Sequence, residues 1–328
     1  MRRFLVILIL AAALTGCAGA APAKEPDPQT VPTVLTLPPQ TSAPAEPSMA
    51  LELTMAPLPP QSILLEPTAP GTLEERCDSA VVDYSNTAEG YVMVRFTAET
   101  DKRLKVQVKG PTTTYTYNLP QGEWTVFPLS DGNGAYQVGV YQNIQSTKYA
   151  VVMTARFDAE LADEFAPFLR PNQYVNYLDA PDTLAQGAVL CQGLTDPLEK
   201  VAAVYDYVVE SLSYDYELAA TVKSGYLPEL DKVLERKKGI CFDYAALMAA
   251  MLRSQDVPCK LVVGYAGSDY HAWISVWTQE QGWIDGVIFF DGSVWKRMDP
   301  TFASSGQRSP EIMRFIENNG NYTVKYLY

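Results

Sequence analysis

The fold is decided by the stretch from Gly239 to Arg253, which reads GICFDYAALMAAMLR. After Cys241 the run is rich in Ala, Leu and Met, which are strong helix formers, and Pro258 limits the helix downstream. We therefore predict a helix with Cys241 at or beside its N-terminus. Unpaired backbone N–H groups and the helix dipole favour a thiolate there, and the same groups can stabilise an oxyanion. Taken alone, a cysteine in such a helix is more often a small core residue.

Two strands are predicted after this helix. The stretch Cys259 to Tyr265 is apolar and β-branched, residues 267–269 make a turn, and Tyr270 to Trp277 alternates in polarity. His271, the only histidine of the chain, lies on the second strand, and the next segment ends at Asp299. A helix packed on an antiparallel sheet could bring a cysteine, a histidine and an aspartate from these elements together.

Those three side chains suit nucleophilic catalysis. A free cysteine has a pKa of ~8.5, so it needs a neighbouring imidazole to accept its proton near neutral pH. A carboxylate fixes the imidazole tautomer and stabilises the imidazolium. The thiolate would attack an amide carbonyl, and the acyl-enzyme would pass to water or to an amine. Asp243 complicates this scheme, because its charge opposes a thiolate at Cys241 unless the carboxylate caps the helix.

The stretch from about residue 195 to residue 305 resembles the transglutaminase-like superfamily, which has a papain-like arrangement. The resemblance rests on short motifs in the family's order: GICFDYA at 239–245, VP at 257–258, GY at 264–265, HAW at 271–273, GW at 282–283 and DPT at 299–301. The resemblance implies that Cys241 is the nucleophile, His271 the base and Asp299 the residue that orients the histidine. It also implies an α+β core in which a helix packs on an antiparallel sheet.

The sequence departs from the family pattern at one place. An insertion from Ile284 to Val294 separates the GW motif from Asp299. It makes Asp285 and Asp291 rivals of Asp299 for the carboxylate role.

The N-terminal sequence predicts an export signal. Arg2 and Arg3 precede an apolar run from Phe4 to Leu14, which is too short to span a bilayer. The run ends in LTGC at 14–17, which resembles the bacterial lipobox, and the resemblance implies that Cys17 carries diacylglycerol. We therefore expect a lipoprotein signal peptide at 1–17 and an extracytoplasmic protein anchored to the bacterial cell membrane by lipid.

The rest of the chain divides by composition. Residues 18–72 are rich in Pro, Ala and Thr, which predicts a disordered linker. Residues 73–160 contain short alternating runs between turn signals, which predict an immunoglobulin-like β-sandwich. Residues 161–194 contain several prolines and predict an irregular connector. A helix from Asp196 to about Leu212 then opens the transglutaminase-like domain, at 195–328.

Composition narrows the function. The formal net charge of -13 argues against nucleic acid as a partner. The single histidine and the lack of a CxxC pair argue against zinc, and no dense acidic loop supports calcium, so we expect no metal and no cofactor. Cys77, Cys191 and Cys259 do not form a recognisable disulfide framework.

Two hypotheses follow. The first is a cysteine-dependent amide hydrolase or acyltransferase acting on a peptide, protein or cell-wall substrate, with hydrolysis favoured over crosslinking. The second is a catalytically silent binding or scaffold lipoprotein in which the β-domain recognises the partner. The sequence specifies no oligomeric state.

Overall fold

The computed structural model describes residues 62–285, 287–290, 295–298 and 318–328. These residues belong to one unit that runs from Pro59 to Tyr328. The predicted signal peptide, the lipid-bearing Cys17, nearly all of the linker, Asp291 and Asp299 lie outside the described residues. The division of the chain into domains stays a prediction.

The first half of the described chain is all-β. Its eight strands form two antiparallel four-stranded sheets, in the orders β1-β2-β3-β6 and β5-β4-β7-β8. The strands are β1 (Glu74–Arg76), β2 (Ala80–Asp83), β3 (Tyr91–Phe96), β4 (Leu104–Lys109), β5 (Thr114–Leu119), β6 (Thr125–Pro128), β7 (Gly134–Gln145) and β8 (Lys148–Ala159). The last six confirm the strands that alternation predicts, since buried and more exposed residues alternate along β4 and β5.

The two sheets share one hydrophobic core. Val94 of β3 and Phe127 of β6 are fully buried, as are Val106 of β4 and Val138 of β7. Tyr117 of β5 crosses the layers, with its ring centroid 5.1 Å from that of Phe127. Burial of these inner faces is what holds the two layers together.

Strand β5 is an edge of its sheet, and a side chain covers part of that edge. The Asn118 N–H donates to Oε1 of Gln173 at 3.2 Å, and the Gln173 amide donates back to the Asn118 carbonyl at 3.3 Å. The Asn118 side chain also donates to the Gly225 carbonyl at 3.5 Å. The primary amide of Gln173 thus takes the place of one residue of a neighbouring strand.

The second half of the described chain begins with five α-helices, α1 (Pro181–Leu190), α2 (Pro197–Ser211), α3 (Tyr216–Thr221), α4 (Leu230–Arg236) and α5 (Cys241–Arg253). Helix α2 confirms the predicted helix, and Asp196 caps it by accepting the Leu198 N–H at 2.8 Å. Helix α1 corrects the prediction that the connector is irregular up to Leu190. Its N-terminal N–H groups on Asp182 and Thr183 donate to the Asp231 carboxylate, at 3.1 and 2.8 Å.

Helix α5 is buried on every side from Asp243 to Arg253. It packs against α1, α2 and α4 and against the strands β11 (Cys259–Ala266) and β12 (Asp269–Thr278). A helix that is apolar all round belongs in a core, which explains why its run of Ala, Leu and Met shows no polar face. The predicted helix and both predicted strands are confirmed.

Strands β11 and β12 are the centre of a sheet with the order β13-β12-β11-β16. The other strands of this half are β9 (Ser213–Tyr214), β10 (Lys238–Gly239), β13 (Gly282–Ile284), β14 (Val287–Phe290), β15 (Trp295–Met298) and β16 (Tyr322–Leu327). Two-residue strands β9 and β10 pair in parallel, and β14 pairs with β15. The protein is therefore α+β, with antiparallel β-sheets followed by helices packed on a sheet, as predicted.

A buried arginine ties the C-terminal end of α5 to the sheet. The Arg253 guanidinium donates twice to the Cys259 carbonyl, at 2.9 and 2.7 Å, and once to the Tyr328 carbonyl at 2.7 Å. A fourth hydrogen bond reaches the Arg170 carbonyl at 2.6 Å. Burial lowers the pKa of Arg253 to about 10, so the side chain stays charged at neutral pH.

Candidate active site

Cys241 is the first residue of α5, and Ile240 is its N-cap. The thiol is half-buried and free. Backbone N–H groups of the first helical turn have no partner within the helix, so negative charge is stabilised near this position. The structure places Cys241 at the start of a helix, as predicted, and its role as nucleophile stays a prediction.

Asp243 closes the same helix end. Its carboxylate accepts the Ile240 N–H at 2.9 Å and the Tyr226 hydroxyl at 2.7 Å, and Arg236 lies 3.5 Å away. The carboxylate is fully buried, and burial raises its pKa while these hydrogen bonds oppose the rise. Asp243 therefore caps the helix, which is the alternative that the sequence left open for this carboxylate.

The residues just before Cys241 are held by the pairing of the short strands β9 and β10. Strand β10 pairs with β9, and the Asp215 N–H donates to the Gly239 carbonyl at 2.8 Å. Gly239 has no room for a side chain, because a Cβ there would lie 2.7 Å from Cβ of Asp243. A glycine two residues before the cysteine is thus required by the close approach of the capping carboxylate.

The Asp215 carboxylate is an acceptor in this arrangement. It accepts the Leu218 N–H at 2.9 Å, which caps α3, and it pairs with Lys238 at 3.2 Å. The backbone hydrogen bond from Leu218 and the charge of Lys238 lower the pKa of Asp215. An ionised carboxylate has no proton to donate. The Asp215 side chain therefore cannot donate a hydrogen bond to an oxyanion formed at Cys241.

His271 lies on β12, directly opposite Gly264 of β11. Its ring is buried and is stacked on Trp273, with centroids 6.2 Å apart and an interplanar angle of 24°. A Cβ at Gly264 would lie 2.0 Å from the Thr323 carbonyl oxygen, so only glycine permits β16 to come this close. The sequence motifs GY and HAW therefore meet across one strand pair.

The two faces of β12 have different neighbours. Ala272, Ile274 and Val276 join the core that contains α5, whereas His271, Trp273 and Ser275 alternate with them and belong to the other face. Helix α5 and β12 are in contact, so the elements carrying Cys241 and His271 are brought together. The pairing of the sulfur with the imidazole stays a prediction.

Asp285 lies beside a different point of β12 from His271. The Ser275 hydroxyl donates to its Oδ1 at 3.3 Å. Ser275 is four residues along β12 from His271, which is about 13 Å at the usual rise of a strand. A carboxylate held at that point does not reach the imidazole directly. The two other candidates for the carboxylate role, Asp291 and Asp299, lie outside the described residues.

Aromatic side chains lie around the start of α5. Tyr174 packs on Phe242, with centroids 5.4 Å apart, and on Tyr328 at 4.5 Å. Tyr265 and Tyr270 contact each other edge-on at 5.5 Å, at the end of the β11–β12 hairpin. Sequence analysis gave these tyrosines no role, although a tyrosine on either side of the hairpin turn was a visible signal.

Two of the other described cysteines are more deeply buried than Cys241. Burial raises the pKa of the Cys191 thiol to about 11 and that of the Cys259 thiol to about 12. Both are buried, and Cys77 is half-buried. Among the residues that the structure describes, all four cysteines are free.

Within the described ranges, no group of three or more His, Cys, Asp or Glu side chains is arranged to hold a metal ion. Over the same residues, no helix combines the length and the apolar character needed to cross a bilayer.

Comparison with known proteins shows what the second half of the described chain is similar to. Residues 184–285 match the family model of the transglutaminase-like superfamily. The chain therefore carries a transglutaminase-like domain, and α1, α2, α5, β11 and β12 lie within the matched stretch apart from the first residues of α1.

Two curated proteins are similar to this chain. The uncharacterized protein YebA of Bacillus subtilis is 29% identical over 133 residues, covering 33% of this chain and 18% of YebA. A protein-glutamine gamma-glutamyltransferase of Pseudomonas aeruginosa is 28% identical over 143 residues, covering 39% of this chain and 19% of that protein. The chain thus spans less than a fifth of the length of either relative.

Solved structures overlap the chain partially. The periplasmic domain of TgpA from Pseudomonas aeruginosa, bound to ethylmercury, is 18% identical with a TM-score of 0.34, covering 75% of this chain and 78% of that one. Red sea bream transglutaminase is 14% identical with a TM-score of 0.29, covering 70% of this chain and 53% of that one.

Proposed function

We propose that this protein is a cell-surface thiol enzyme that acts on amide bonds of a peptide, protein or cell-wall substrate. The observation that carries the proposal is the position of Cys241, which begins a buried helix packed on the strand of the only histidine. Cys241 is the nucleophile, His271 the base and Asp299 the residue that orients the imidazole. The similarity to a protein-glutamine gamma-glutamyltransferase supports amide chemistry.

The reaction has two halves. His271 takes the proton of the Cys241 thiol, the sulfur bonds to the amide carbon, and the oxyanion is stabilised by N–H groups at the start of α5. The C–N bond then breaks as His271 returns the proton to the leaving amine, leaving a thioester. Water attacks the thioester, His271 takes its proton, and the acid is released as the thiol is restored. An amine in place of water gives a crosslink, and hydrolysis is favoured because nothing in the sequence excludes water.

The proposal also includes a cellular location for the protein. Cys17 carries the lipid, residues 18–72 hold the folded part away from the membrane, and the enzyme works outside the cytoplasm. A Cys17→Ala variant is then expected in the soluble fraction of cells that retain the wild-type protein in the membrane fraction. Equal membrane association of both proteins contradicts the anchor and leaves the chemistry untouched.

Thiol reactivity and amide cleavage test the chemistry. A small alkylator applied at neutral pH should modify Cys241 first, as read by peptide mapping. The protein should release ammonia from glutamine peptides or new termini from peptide bonds, and Cys241→Ala should abolish this release. Cys77→Ala is the matched control and should retain it, because Cys77 lies in the turn between β1 and β2.

A catalytically silent scaffold is the second candidate. It is favoured by the alternation of β12, which groups His271 with Trp273 on the face that does not join the α5 core. A silent scaffold predicts that alkylation of Cys241 is unchanged in His271→Ala, whereas an enzyme predicts that it slows by about 100-fold, the lower end of ordinary effects of a general base.

A further inference from the structure

Two tyrosines are left exposed at the hairpin that begins the histidine strand. Tyr265 and Tyr270 are directly opposite each other in the β11–β12 pair. Their rings meet edge-on, with centroids 5.5 Å apart and an interplanar angle of 67°. Tyr265 is 38% exposed and Tyr270 is 56% exposed, in a sheet whose central residues are almost all buried. Such a pair presents the apolar parts of two steeply inclined rings to solvent.

This surface lies on the cysteine side of the sheet. Tyr270 is two residues from Ala272 on β12, so it shares the face that joins the α5 core. Burial raises the pKa of Tyr270, and nearby Tyr326, Tyr265 and Cys241 add to the rise. Tyr174 packs on Phe242, the residue after Cys241, and the pKa of Tyr174 is in turn raised by burial and by Tyr270. Helix α5 and β12 are in contact, so the exposed pair lies at the end of the strand that packs on the helix beginning at Cys241.

The surface is uncharged under ordinary conditions. Burial raises the pKa of Tyr270 to about 12, and burial also raises the pKa of Tyr174 to about 12. Both hydroxyls therefore stay protonated at neutral pH. A carboxylate set against these rings would lose hydration without gaining a counter-ion, and an ammonium would regain only part of that loss through the ring faces. An apolar or aromatic side chain gains from burial and from ring contact.

We infer that the Tyr265–Tyr270 pair is a specificity subsite that receives an apolar or aromatic side chain of a peptide acyl donor, next to the amide that Cys241 attacks. This inference rests on the proposed function and names its substrate class. We favour a peptide over a glycan as the occupant. In an extended peptide the residue next to the reacting amide lies only about 3.3 Å further along the chain. A surface beside Cys241 would therefore meet the side chain of that residue.

Binding to an inactive protein tests the subsite without catalysis. The full-length Cys241→Ala protein is titrated with short peptide amides that differ at one residue beside the acyl carbonyl, which is Phe, Leu, Glu or Lys. We expect Phe and Leu peptides to bind about tenfold more tightly than Glu and Lys peptides. That factor corresponds to about 1.4 kcal/mol, which is within the range of one aromatic contact with its buried area.

Variants then assign the preference to the pair. Adding Tyr270→Ala or Tyr265→Ala should remove the preference, while Tyr270→Phe should keep it, because the ring rather than the hydroxyl makes the contact. Trp124→Ala is the control, since Trp124 is an exposed aromatic residue of the all-β half, 37% exposed. Thermal melts of each variant verify that it is folded, which is expected because both tyrosines are partly exposed.

Several outcomes overturn the subsite. They are equal binding of all four peptides, a preference that survives Tyr270→Ala, and tight binding of a glycan oligomer that depends on Tyr270 while no peptide binds. Failure of the wild-type protein to cleave any amide sinks the proposed function instead, and it leaves the binding comparison readable.

Discussion

The Asp243 carboxylate accepts the N–H of Ile240 at 2.9 Å and thereby closes the N-terminus of the helix that begins at Cys241. The same carboxylate accepts the Tyr226 hydroxyl at 2.7 Å. A buried acceptor with these two donors fixes where the first helical turn starts. The geometry of the nucleophile therefore depends on a side chain that makes no contact with substrate in the proposed mechanism.

Replacing Asp243 by Ala should destabilise the protein by about 2–3 kcal/mol, because it removes a helix cap and leaves the Tyr226 hydroxyl and the Ile240 N–H unsatisfied. Asp243→Asn should cost less, since an amide oxygen still accepts one of them. Urea unfolding measures both. Arg236→Gln is the control and should lose less than about 1 kcal/mol, because its partly exposed ion pair is screened. An Asp243→Ala protein as stable as Arg236→Gln would contradict the capping role.

Replacing Arg253 by Met should cost about 3 kcal/mol, because three carbonyl groups each lose a charged hydrogen-bond donor at once. The matched control is Arg156→Met on β8, where the exposed Arg156 side chain makes one hydrogen bond to Gln137 at 3.1 Å. That change should stay within about 0.5 kcal/mol. Similar unfolding midpoints for the two variants would show that the Arg253 contacts carry little stability.

Lys260 should make stability depend on pH. Its ammonium lies 3.4 Å from the centre of the Trp283 ring, and burial lowers its pKa to about 8. Because the folded state holds this proton less tightly than the unfolded state, the lysine's contribution to stability rises from about pH 8 to its unfolded pKa of 10.5. Below pH 8 the cost of burying the charge is fully present.

The measurement is the difference in unfolding free energy between Lys260→Met and the wild-type protein. The variant should be the more stable of the two at pH 7, and its advantage should shrink by pH 10. An advantage that is independent of pH would indicate that Lys260 stays charged in the folded state throughout. Lys105→Met is a useful comparison, because burial lowers the pKa of Lys105 as well, while its ammonium donates to the Asn118 side chain at 2.6 Å.

Replacing Gly264 by Ala should separate β16 from β11. The new Cβ would lie 2.0 Å from the Thr323 carbonyl oxygen, which is backbone and cannot rotate away. We expect a loss of about 3 kcal/mol, at the upper end of ordinary overpacking. Gly122→Ala offers a contrast, since a Cβ there meets nothing within 4 Å but the backbone has φ of +84°. Equal losses would point to backbone conformation rather than to the strand contact.

Much of the half that contains Cys241 and His271 was predictable, because the sequence patterns that specify its elements are local. The run of Ala, Leu and Met after Cys241 specifies a buried helix, and the alternation after Tyr270 specifies a strand. Strands β3 to β8 of the all-β half were visible for the same reason. Strand β1 has only three residues, and the four residues of β2 are all buried, so neither shows an alternating pattern.

What the sequence did not give depends on partners far along the chain. Helix α1 has no capping side chain of its own, and Asp231 from α4 supplies the acceptor. The role of Asp243 depends on Tyr226 and Arg236, which precede it by 17 and 7 residues. Asp285 was a rival for the acid until its contact with Ser275 set it far from His271. These are tertiary relationships that no local pattern encodes.

The Gln173 amide that covers Asn118 on the edge of β5 has a consequence for solubility. An edge strand is a template onto which a second chain can add, and such addition leads to aggregates. Because the amide already occupies the N–H and the carbonyl of Asn118, a foreign strand cannot continue its ladder past that point. A single neutral side chain thus acts as a stop against unwanted assembly at that edge.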